Sequence, residues 1–318
     1  MTDPLLSIVI PNWNGAHFLP TCLDSLARQT YPRLEIIVVD NASSDESAVL
    51  VKTQYPHVIL LELPENRGFT GACNAGMERA SGAYIALLNN DTEVHPDWAA
   101  AVIDAFAHCP EAGSIASKML LFDRRDHLHT AGDFFTVDGR AGNRGVWQQD
   151  TGQFDEETYV FSACGGSAVY RRQMLDHIGL LDDDFFFSGE DVDLGWRAQL
   201  AGWRCLYVPS AIVYHHLSAT GGGVTASYYD GRNLIFILAK NYPAGLWRKY
   251  RRLVLKAQLK LAWEALRAWR GAAARARLRG MLAGLIGLPR IWPKRRQVQA
   301  LRTVSLDYLE SVLSPPAG

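Results

Sequence analysis

The sequence predicts an α/β protein with a mostly parallel central sheet flanked by helices, followed by a C-terminal helical extension. Two observations support this prediction. Short apolar segments alternate with amphipathic helical segments through the first 120 residues, which is the pattern of a parallel sheet. Beyond residue 244, long stretches follow in which Leu, Ala and Trp recur among Lys and Arg, as in amphipathic helices.

The elements of the first half can be placed in order. Residues 7–10 are expected to form the first strand, and residues 16–29 the helix after it. Residues 34–39 are apolar except for Glu35 and rich in β-branched side chains, as expected of a strand buried on both faces. The Gly-rich, polar residues 125–160 indicate long loops or a small antiparallel excursion. The remaining predictions are a strand at 58–61, a helix at 70–79, and strands at 83–88 and 165–170.

Length and composition limit the classes of protein to consider. The 318 residues are 48% hydrophobic and 20% charged, which is typical of a globular protein and unlike a disordered or polytopic membrane protein. The first residues lack the pattern of a secretory signal peptide, and no apolar run reaches the roughly 20 residues of a spanning helix. Five scattered cysteines without C-x-x-C spacing indicate neither a disulfide framework nor a zinc site. These observations favour a cytoplasmic protein.

Charge divides the chain into two parts. Residues 241–318 contain 16 Lys and Arg against three acids, whereas residues 1–240 contain 16 against 30. Basic amphipathic helices that also carry four Trp residues suit the interface of an anionic membrane, and a solvated helical face is the simpler alternative. We expect peripheral membrane contact through this basic region. Nucleic acid is not expected as a partner, because the larger part is acidic and contains no recognition motif.

Polar residues cluster where the predicted strands end. Open α/β sheets bind ligands beyond the carboxyl ends of their strands, so these residues are candidates for a ligand site. After the first strand, Pro11 and Trp13 lie on a turn from which the indole could stack on a base, with an ordinary turn and a partly buried Trp as the alternative. Asp40 ends the second strand, and Asn41 follows it. A carboxylate there can accept hydrogen bonds from a ribose or a base.

Two further polar segments follow. Arg67 and Asn74 lie among glycines that let a backbone approach a ligand, in a segment that matches neither a P-loop nor a dinucleotide-binding fingerprint. Asn90 and Asp91 come after the strand predicted at 83–88. Oxygen ligands of this kind next to a diphosphate suit Mg²⁺ or Mn²⁺.

An acidic cluster of Glu190, Asp191 and Asp193 follows three consecutive Phe residues. Part of it has a structural explanation, because Ser188 and Asp191 resemble a helix capping box and Asp193 can pair with Arg197 one helical turn later. Carboxylates beside aromatic rings are costly unless they are used. An acid in this cluster could therefore serve as a general base.

Adjacent histidines, His215 and His216, end a strand-like run. A single His more often has a structural role than a ligand role. Since neighbouring side chains in a strand point to opposite faces, at most one of the two would enter the crevice.

Taken in order, these blocks resemble the inverting glycosyltransferases of family 2, which have the GT-A fold, and especially the bacterial rhamnosyltransferase-like members. The resemblance covers roughly residues 5–240. Each motif is loose, but five motifs in sequence order are highly specific. The matching segments are residues 7–14, 38–45, 66–69, 88–92 and 189–197.

The resemblance implies which residues bind the donor and a divalent cation. Asp91 corresponds to the last acid of the D-x-D motif, which binds Mg²⁺ or Mn²⁺ and the diphosphate. His215 corresponds to a late histidine that joins the metal in some members, with His216 as the alternative. Asn89 replaces the first Asp of the motif, so the metal is expected to bind weakly or to depend on the nucleotide diphosphate. The residues implied to contact the donor are Pro11, Trp13, Asp40, Asn41, Arg67, Asn74, Asn90 and Asp91.

The resemblance also implies the reaction. Asp191 corresponds to the general base that deprotonates the acceptor hydroxyl, with Glu190 beside it to orient the acceptor. A single displacement would move rhamnose or a related hexose from a dTDP-, UDP- or GDP-linked donor to a glycan or lipid-linked acceptor, with inversion at the anomeric carbon. The inner face of the cell membrane is the expected location, and self-association into a homo-oligomer is left open.

The implied organisation is one glycosyltransferase domain over residues 1–240, followed by a basic helical region at 241–318. Within the domain, residues 1–120 would bind the nucleotide sugar, and residues 121–240 the acceptor. One alternative is a sugar-1-phosphate nucleotidyltransferase, but residues 11–15 match its Gly-rich loop poorly. A second is a non-catalytic nucleotide-sugar-binding scaffold, which the joint presence of four candidate site acids disfavours.

Overall fold

The computed structural model of the protein describes residues 3–216 and 223–316. Within these ranges the strands are β1 (Leu6–Asn12), β2 (Leu34–Asp40), β3 (Ile59–Glu62), β4 (Tyr84–Leu88), β5 (Thr92–Val94), β6 (Ala112–Leu121), β7 (Arg124–Thr130), β8 (Asp133–Phe135), β9 (Ala141–Asn143), β10 (Thr158–Val160), β11 (Ser167–Arg171) and β12 (Arg204–His215). The helices are α1 (Leu19–Ala27), α2 (Ser47–Gln54), α3 (Gly68–Arg79), α4 (Trp98–His108), α5 (Arg172–Ile178), α6 (Glu190–Leu200), α7 (Gly223–Asn241), α8 (Ala244–Arg267), α9 (Ala272–Ile286), α10 (Leu288–Ala300) and α11 (Leu306–Ser311).

One large mixed sheet organises the fold. Its strand order is β10-β12-β6-β11-β4-β1-β2-β3, with β5 added to β12 and β7 added to β6. The strands β3, β2, β1 and β4 run parallel, which confirms the predicted parallel centre. Strand β11 lies antiparallel between β4 and β6, and β12 is parallel to β6. The carboxyl ends of β1, β2 and β4 therefore meet at one edge of the sheet.

The predicted strands are confirmed, and the helices differ at their ends. Helix α1 begins at Leu19 instead of residue 16, because the Gly15 carbonyl accepts hydrogen bonds from the N–H groups of both Phe18 and Leu19 in a preceding turn. Pro20 then occupies the first helical turn, where its missing N–H would have no intrahelical partner. The polar stretch at 125–160 contains the short antiparallel strands β7 to β10.

Apolar layers cover both faces of the sheet. Along β1, Ile8 and Ile10 belong to a cluster that includes Trp98, whereas the intervening Val9 packs on the opposite face with residues of α3. Helix α3 approaches β1 closely, since a Cβ atom at Gly76 would lie 2.2 Å from Cγ1 of Val9. This contact packs the second half of α3 against the middle of β1.

A third apolar cluster joins the C-terminal helices to the rest of the protein. It includes Phe135, Trp196 of α6, Leu246 of α8, and Tyr242, which lies between α7 and α8. Helix α7 ends at Asn241, next to the predicted division between residues 240 and 241. Among the described residues, no helix combines the length and the apolar composition that a transmembrane span needs.

Candidate active site

A buried amide connects the loops that follow β1, β2 and β4. Asn12 donates from Nδ2 to Oδ1 of Asp40 at 3.2 Å and to Oγ of Ser43 at 3.3 Å. Its Oδ1 accepts a hydrogen bond from Nδ2 of Asn90 at 2.7 Å, and its backbone carbonyl accepts one from the N–H of Asn41. We call Asn12, Asp40, Ser43 and Asn90 the loop junction. It places Asp40 and Asn90, both predicted to contact the donor, at one edge of the sheet.

The turn after β1 presents Trp13 to solvent. Trp13 is 49% exposed, and Pro11 is half-buried. The following Asn14 adopts a positive φ of 52°, which Asn tolerates because its short side chain forms local hydrogen bonds. Its Oδ1 accepts from the N–H of Ser44 at 2.7 Å. An exposed indole on this edge can stack on a base while Asp40, whose two oxygens retain acceptor capacity, binds a hydroxyl group.

Asn41 braces the start of α3. Its Oδ1 accepts a hydrogen bond from the N–H of Arg67 at 2.8 Å, and its Nδ2 donates to Oδ1 of Asn66 and to the carbonyl of Gly68, both at 3.0 Å. Both amide hydrogens are therefore engaged. These hydrogen bonds give Asn41 a positioning role, and its contact with the donor stays a prediction. The Arg67 side chain is exposed.

Asn74 likewise connects two segments of the chain. It is buried, and its Nδ2 donates to the carbonyl of Leu181 and to Oδ1 of Asp183, both at 2.9 Å. Its Oδ1 accepts from the N–H of Leu181 at 3.1 Å. These contacts anchor the loop before the acidic cluster to α3, and the donor contact of Asn74 stays a prediction.

His215 and Asp91 lie together at the edge of the sheet. Nε2 of His215 lies 3.1 Å from Oδ1 of Asp91 and 3.3 Å from Nδ2 of Asn89. His216 points away and stacks on Phe122, with ring centroids 3.7 Å apart. We call Asn89, Asp91 and His215 the histidine corner. The alternation of side chains along β12 thus brings His215 and not His216 to Asp91.

The histidine corner fits a divalent cation. Oδ1 of Asp91 is buried and has no hydrogen-bond partner among the described residues, although Nε2 of His215 is close. A buried carboxylate oxygen that faces an imidazole without a hydrogen bond is costly unless both bind a cation. A carboxylate is a preferred ligand of Mn²⁺ and Mg²⁺, and the neutral imidazole of His is the commonest side-chain metal ligand. Asp91 and His215 are accordingly its candidate ligands.

Sequence reasoning missed a second histidine at this corner. His129 of β7 is buried, and its Nδ1 lies 3.0 Å from Nδ1 of His215. Burial, and then the nearby His215, lower the pKa of His129 to about 3, so its ring is neutral at neutral pH. The two histidines are 86 residues apart in the sequence, and nothing in the surrounding sequence singles out His129.

Glu190 and Asp191 begin α6 and face Gly165. Oδ2 of Asp191 accepts from the N–H of Gly165 at 2.8 Å, and Oδ1 accepts from the N–H of Val192 at 2.7 Å. Burial raises the pKa of Asp191, and these hydrogen bonds partly oppose the rise. Burial, and then the charge of Asp191, raise the pKa of Glu190 well above its usual range. Of the two, Asp191 is therefore the carboxyl that ionises first.

We call Gly165, Glu190 and Asp191 the acidic corner, and two more titratable groups crowd it. Ligand atoms of Asp133, Cys164 and Asp191 all lie within 4.8 Å of one another. Burial, and then Asp191, raise the pKa of Asp133, and burial followed by nearby carboxylates raises the pKa of the Cys164 thiol. Burial thus favours the uncharged forms of the groups around the carboxyl of Asp191.

Asp193, the third acid of the cluster, has a structural role. It is fully buried, and it accepts hydrogen bonds from Nε of Arg197 at 3.0 Å, Nζ of Lys240 at 2.9 Å and Nδ2 of Asn241 at 2.8 Å. The predicted ion pair with Arg197 is confirmed. The additional partners come from the end of α7, and they tie that helix to α6.

The predicted capping box at the start of α6 is wrong. Gly189, with a left-handed backbone, occupies the N-cap position, and no side-chain hydrogen bond caps the helix. Ser188 instead donates from Oγ to Oδ1 of Asp230 at 2.7 Å. Asp191 accepts from the N–H of Val192 in the first turn through Oδ1, and from the N–H of Gly165 across the site through Oδ2.

A glycine pair connects the two corners. A Cβ atom at Gly165 would lie 3.4 Å from Oδ2 of Asp191, and one at Gly166 would lie 3.4 Å from Nδ2 of Asn89 and 3.7 Å from Cε1 of His215. Only backbone separates the acidic corner from the histidine corner at this point. The pair was visible in the sequence as the start of a strand, and its contact with both corners depends on the fold.

The fold is shared with solved glycosyltransferases. The crystal structure of GalNAc-T7 with UDP, GalNAc and Mn²⁺ matches with a TM-score of 0.59 at 17% identity, over 74% of this chain and 48% of that one. A mannosyltransferase from Pyrobaculum calidifontis in complex with GDP-Man and Mn²⁺ matches 98% of this chain and 79% of that one, with a TM-score of 0.53 at 17% identity. At these identities the matches concern the fold, and they confirm the predicted GT-A architecture.

Sequence comparisons identify the family. The chain is 28% identical over 285 residues to N-acetylglucosaminyl-diphospho-decaprenol L-rhamnosyltransferase of Mycobacterium tuberculosis, over 82% of this chain and 92% of that protein. It is 30% identical over 231 residues to the O-antigen biosynthesis protein RfbC of Myxococcus xanthus, over 68% of this chain and 18% of that protein. The model of glycosyl transferase family 2 matches residues 7–191, more than half of the chain. The chain therefore belongs to glycosyl transferase family 2 and is a glycosyltransferase.

Proposed function

We propose that this glycosyltransferase moves rhamnose or a related hexose from a nucleotide-diphosphate donor to a hydroxyl of a glycan or lipid-linked acceptor, with inversion. The observation that carries the proposal is that adjacent glycines contact both corners: the N–H of Gly165 donates to Asp191, and the carbonyl of Gly166 accepts from the N–H of Asn89. An inverting displacement needs a base on one side of the anomeric carbon and charge stabilisation of the leaving diphosphate on the other. Asp191 and the histidine corner supply candidates for these two roles.

Asp191 is the proposed general base. The acceptor oxygen forms a bond to the anomeric carbon as the bond from that carbon to the diphosphate oxygen breaks, and the acceptor proton passes to Asp191. Its raised pKa increases its affinity for that proton, and the N–H of Gly165 holds the carboxylate in place. Burial and the charge of Asp191 raise the pKa of Glu190, which favours its protonated form, and a protonated carboxyl can donate a hydrogen bond to the acceptor.

The remaining roles concern the donor. Asp91 and His215 would hold Mg²⁺ or Mn²⁺, which when bound supplies positive charge beside the diphosphate. Because Asn89 replaces an acid, cation binding is expected to strengthen when the donor diphosphate is present. Trp13 is the candidate for stacking on the base, and Arg67 is the candidate for the phosphates.

The choice of sugar and acceptor draws on the sequence relatives. The name of the mycobacterial relative specifies transfer of L-rhamnose and an acceptor containing diphospho-decaprenol. The Myxococcus relative is named for O-antigen biosynthesis. These names support a rhamnosyl or related donor carried by dTDP, UDP or GDP, and an acceptor used in cell-surface polysaccharide synthesis.

A donor screen tests the proposal. Purified protein incubated with dTDP-, UDP- and GDP-linked sugars and Mn²⁺ is expected to hydrolyse or transfer at least one of them, as measured by release of the nucleoside diphosphate. Asp91→Asn is expected to reduce that release by about 10²-fold or more, because one charged ligand is lost next to the diphosphate. No release from any donor would contradict the proposal. Equal rates in wild type and variant would remove Asp91 from the cation site.

We also propose that the protein contacts the inner face of the cell membrane through α8 and α9. Leu255, Leu259, Trp263 and Leu266 form one exposed stripe along α8, and α9 exposes Leu282, Leu285 and Ile286. Ile286 is 71% exposed and Leu259 is 69% exposed. The two helices carry ten Lys and Arg against one Glu. Exposed apolar stripes among cations fit an anionic lipid surface, where a lipid-linked acceptor would be found.

Vesicle co-sedimentation tests this surface. The protein is expected to bind vesicles of phosphatidylcholine and phosphatidylglycerol at low salt, to bind less at high salt, and not to bind phosphatidylcholine alone. The triple variant Leu259→Ser, Trp263→Ser, Ile286→Ser should weaken binding by at least about a hundredfold, since each exposed apolar side chain contributes about 1.5 kcal/mol when buried in lipid.

Val49→Ser on α2, also an exposed apolar position, is the matched control and should bind like wild type. Unchanged binding of the triple variant would contradict the proposal. A change only in its oligomeric state would show that the stripes join copies of the chain.

A further inference from the structure

His215 of the histidine corner and its buried neighbour His129 can form a hydrogen bond between their rings in either of two directions. Nδ1 of His215 lies 3.0 Å from Nδ1 of His129, and both rings are only 6% exposed. Two imidazole nitrogens at this distance form a hydrogen bond only if one carries a hydrogen and the other presents a lone pair. One histidine therefore determines which nitrogen of the other is protonated.

The surroundings of Nε2 decide between the two arrangements. Nδ2 of Asn89, an amide nitrogen and hence a donor, lies 3.3 Å from Nε2 of His215. Nε2 also lies 3.1 Å from Oδ1 of Asp91, the other candidate ligand of the cation. A cation held by both atoms needs a lone pair on Nε2, and the same lone pair can accept from Asn89. His215 then carries its hydrogen on Nδ1 and donates it to His129.

We propose that His129 is a positioning residue that holds His215 in the Nδ1–H tautomer and so keeps Nε2 available as a metal ligand. This inference rests on the proposed cation site of Asp91 and His215. In histidine ligands, the N–H of the second ring nitrogen generally donates a hydrogen bond to an acceptor, which fixes the tautomer and the ring orientation. Here the acceptor is the lone pair of another buried imidazole.

The fold explains how His129 reaches this position. Strand β7 pairs with β6, and β6 pairs with β12, so His129 and His215 lie on strands at either side of β6. The pairing of β6 with β7 is irregular between Met119 and Leu121, next to His129. The ring centroids of the two histidines are 4.9 Å apart, with planes inclined by 31°. The ring of His129 thus supports His215 from the side opposite Asp91.

The tautomer can be measured directly. In ¹⁵N-labelled wild-type protein, long-range ¹H–¹⁵N spectra are expected to show a protonated Nδ1 and an unprotonated Nε2 for His215, with signals assigned by comparison with His215→Gln. His129→Leu removes the acceptor and should produce a mixture of tautomers. His129→Asn places an amide oxygen near the position of Nδ1 and should restore the Nδ1–H form.

Mn²⁺ affinity, measured by electron paramagnetic resonance without any donor or turnover, is the second readout. We expect His129→Leu to weaken Mn²⁺ binding about 10–100-fold and His129→Asn to recover most of the loss. His127→Leu on the same strand is the control, since His127 contacts Asp126 and Arg124 away from the site, and it should change neither readout.

The outcomes are distinguishable. Protonated Nε2 of His215 in the wild-type protein would overturn the inference on its own, even if His129→Leu did not fold. Wild-type tautomer and Mn²⁺ affinity in His129→Leu would reduce His129 to a packing role and overturn it as well. If the wild-type protein bound no Mn²⁺, the cation site of the proposed function would fail, while the spectra would still decide whether His129 sets the tautomer.

Discussion

Asp191→Asn is expected to lower turnover by about 10²–10⁴-fold while leaving binding of the nucleotide donor largely unchanged. The amide oxygen of Asn can still accept from the N–H of Gly165, so the local structure should persist. It cannot take the acceptor proton. Single-turnover transfer assays and donor titration would separate the two effects. Near-normal turnover in the variant would exclude Asp191 as the base.

Glu190→Gln is the companion variant. Because burial and the charge of Asp191 raise the pKa of Glu190, its neutral form is already the working form, and an amide should replace it with a smaller loss than Asp191→Asn. A larger loss of turnover in Glu190→Gln than in Asp191→Asn would make Glu190 the general base and Asp191 the residue that orients the acceptor. The pH profile gives an independent check, because activity should fall as the pH drops through the raised pKa of Asp191, above the usual Asp value of about 3.9.

Asp191→Asn should not destabilise the fold. Burial raises the folded-state pKa values of Glu190 and Asp133, and the charge of Asp191 raises them further. Groups whose pKa is raised on folding bind more protons when folded, so stability declines as the pH rises above their unfolded values. Removing the charge of Asp191 should therefore keep or raise the melting temperature near neutral pH. A clear drop would indicate that Asp191 is structural.

Lys240→Met is expected to have the largest effect on stability, about 3–5 kcal/mol in the free energy of unfolding measured with urea. Lys240 is buried, and its ammonium lies 2.5 Å from Oδ2 of Asp182 and 2.9 Å from Asp193. Burial would raise the pKa of Asp182, but Lys240 and Lys294 hold it below its usual value. Without Lys240, the fully buried Asp193 would lose its ammonium partner and keep only Arg197 as a cation.

Lys249→Met is the matched control for this substitution. Lys249 pairs with Glu310 at 2.5 Å, but its side chain is 57% exposed, so water can replace the partner. We expect a much smaller change in the urea midpoint than for Lys240→Met. Similar losses in both variants would show that the buried network contributes no more than a surface pair does.

The sequence predicted the residues whose role follows from strand position. Asp40 and Asp91 are predicted because parallel strands direct their carboxyl ends to one edge, and that edge is indicated by apolar runs that end in polar residues. The start of α6 is predicted from its acidic cluster beside three Phe residues. The alternation along β12 predicted that the two adjacent histidines separate, and His215 lies at Asp91. Trp13 is exposed on a turn, as its position after β1 suggested.

Other residues depend on contacts between segments far apart in the chain. Asn74 is predicted to contact the donor, and its hydrogen bonds with Leu181 and Asp183 join segments that no local sequence pattern connects. Asn12 was only part of a motif, and its role in joining three loops follows from the strand order. His129 and Asp133 lie in a polar stretch without a periodic pattern. No local sequence signal records which distant side chain such residues face.

Gly165 and Gly166 set the distance between the acidic corner and the histidine corner, and other parts of the protein can change without altering it. Consecutive Cα atoms across a trans peptide are about 3.8 Å apart whatever the side chains. Gly165 contacts the acid that would accept the proton, and Gly166 contacts the groups that would face the diphosphate. Loops such as 125–160 could therefore change to admit other sugars and acceptors during evolution. The spacing between the site of bond formation and the leaving group would be inherited unchanged, because it is a property of the main chain.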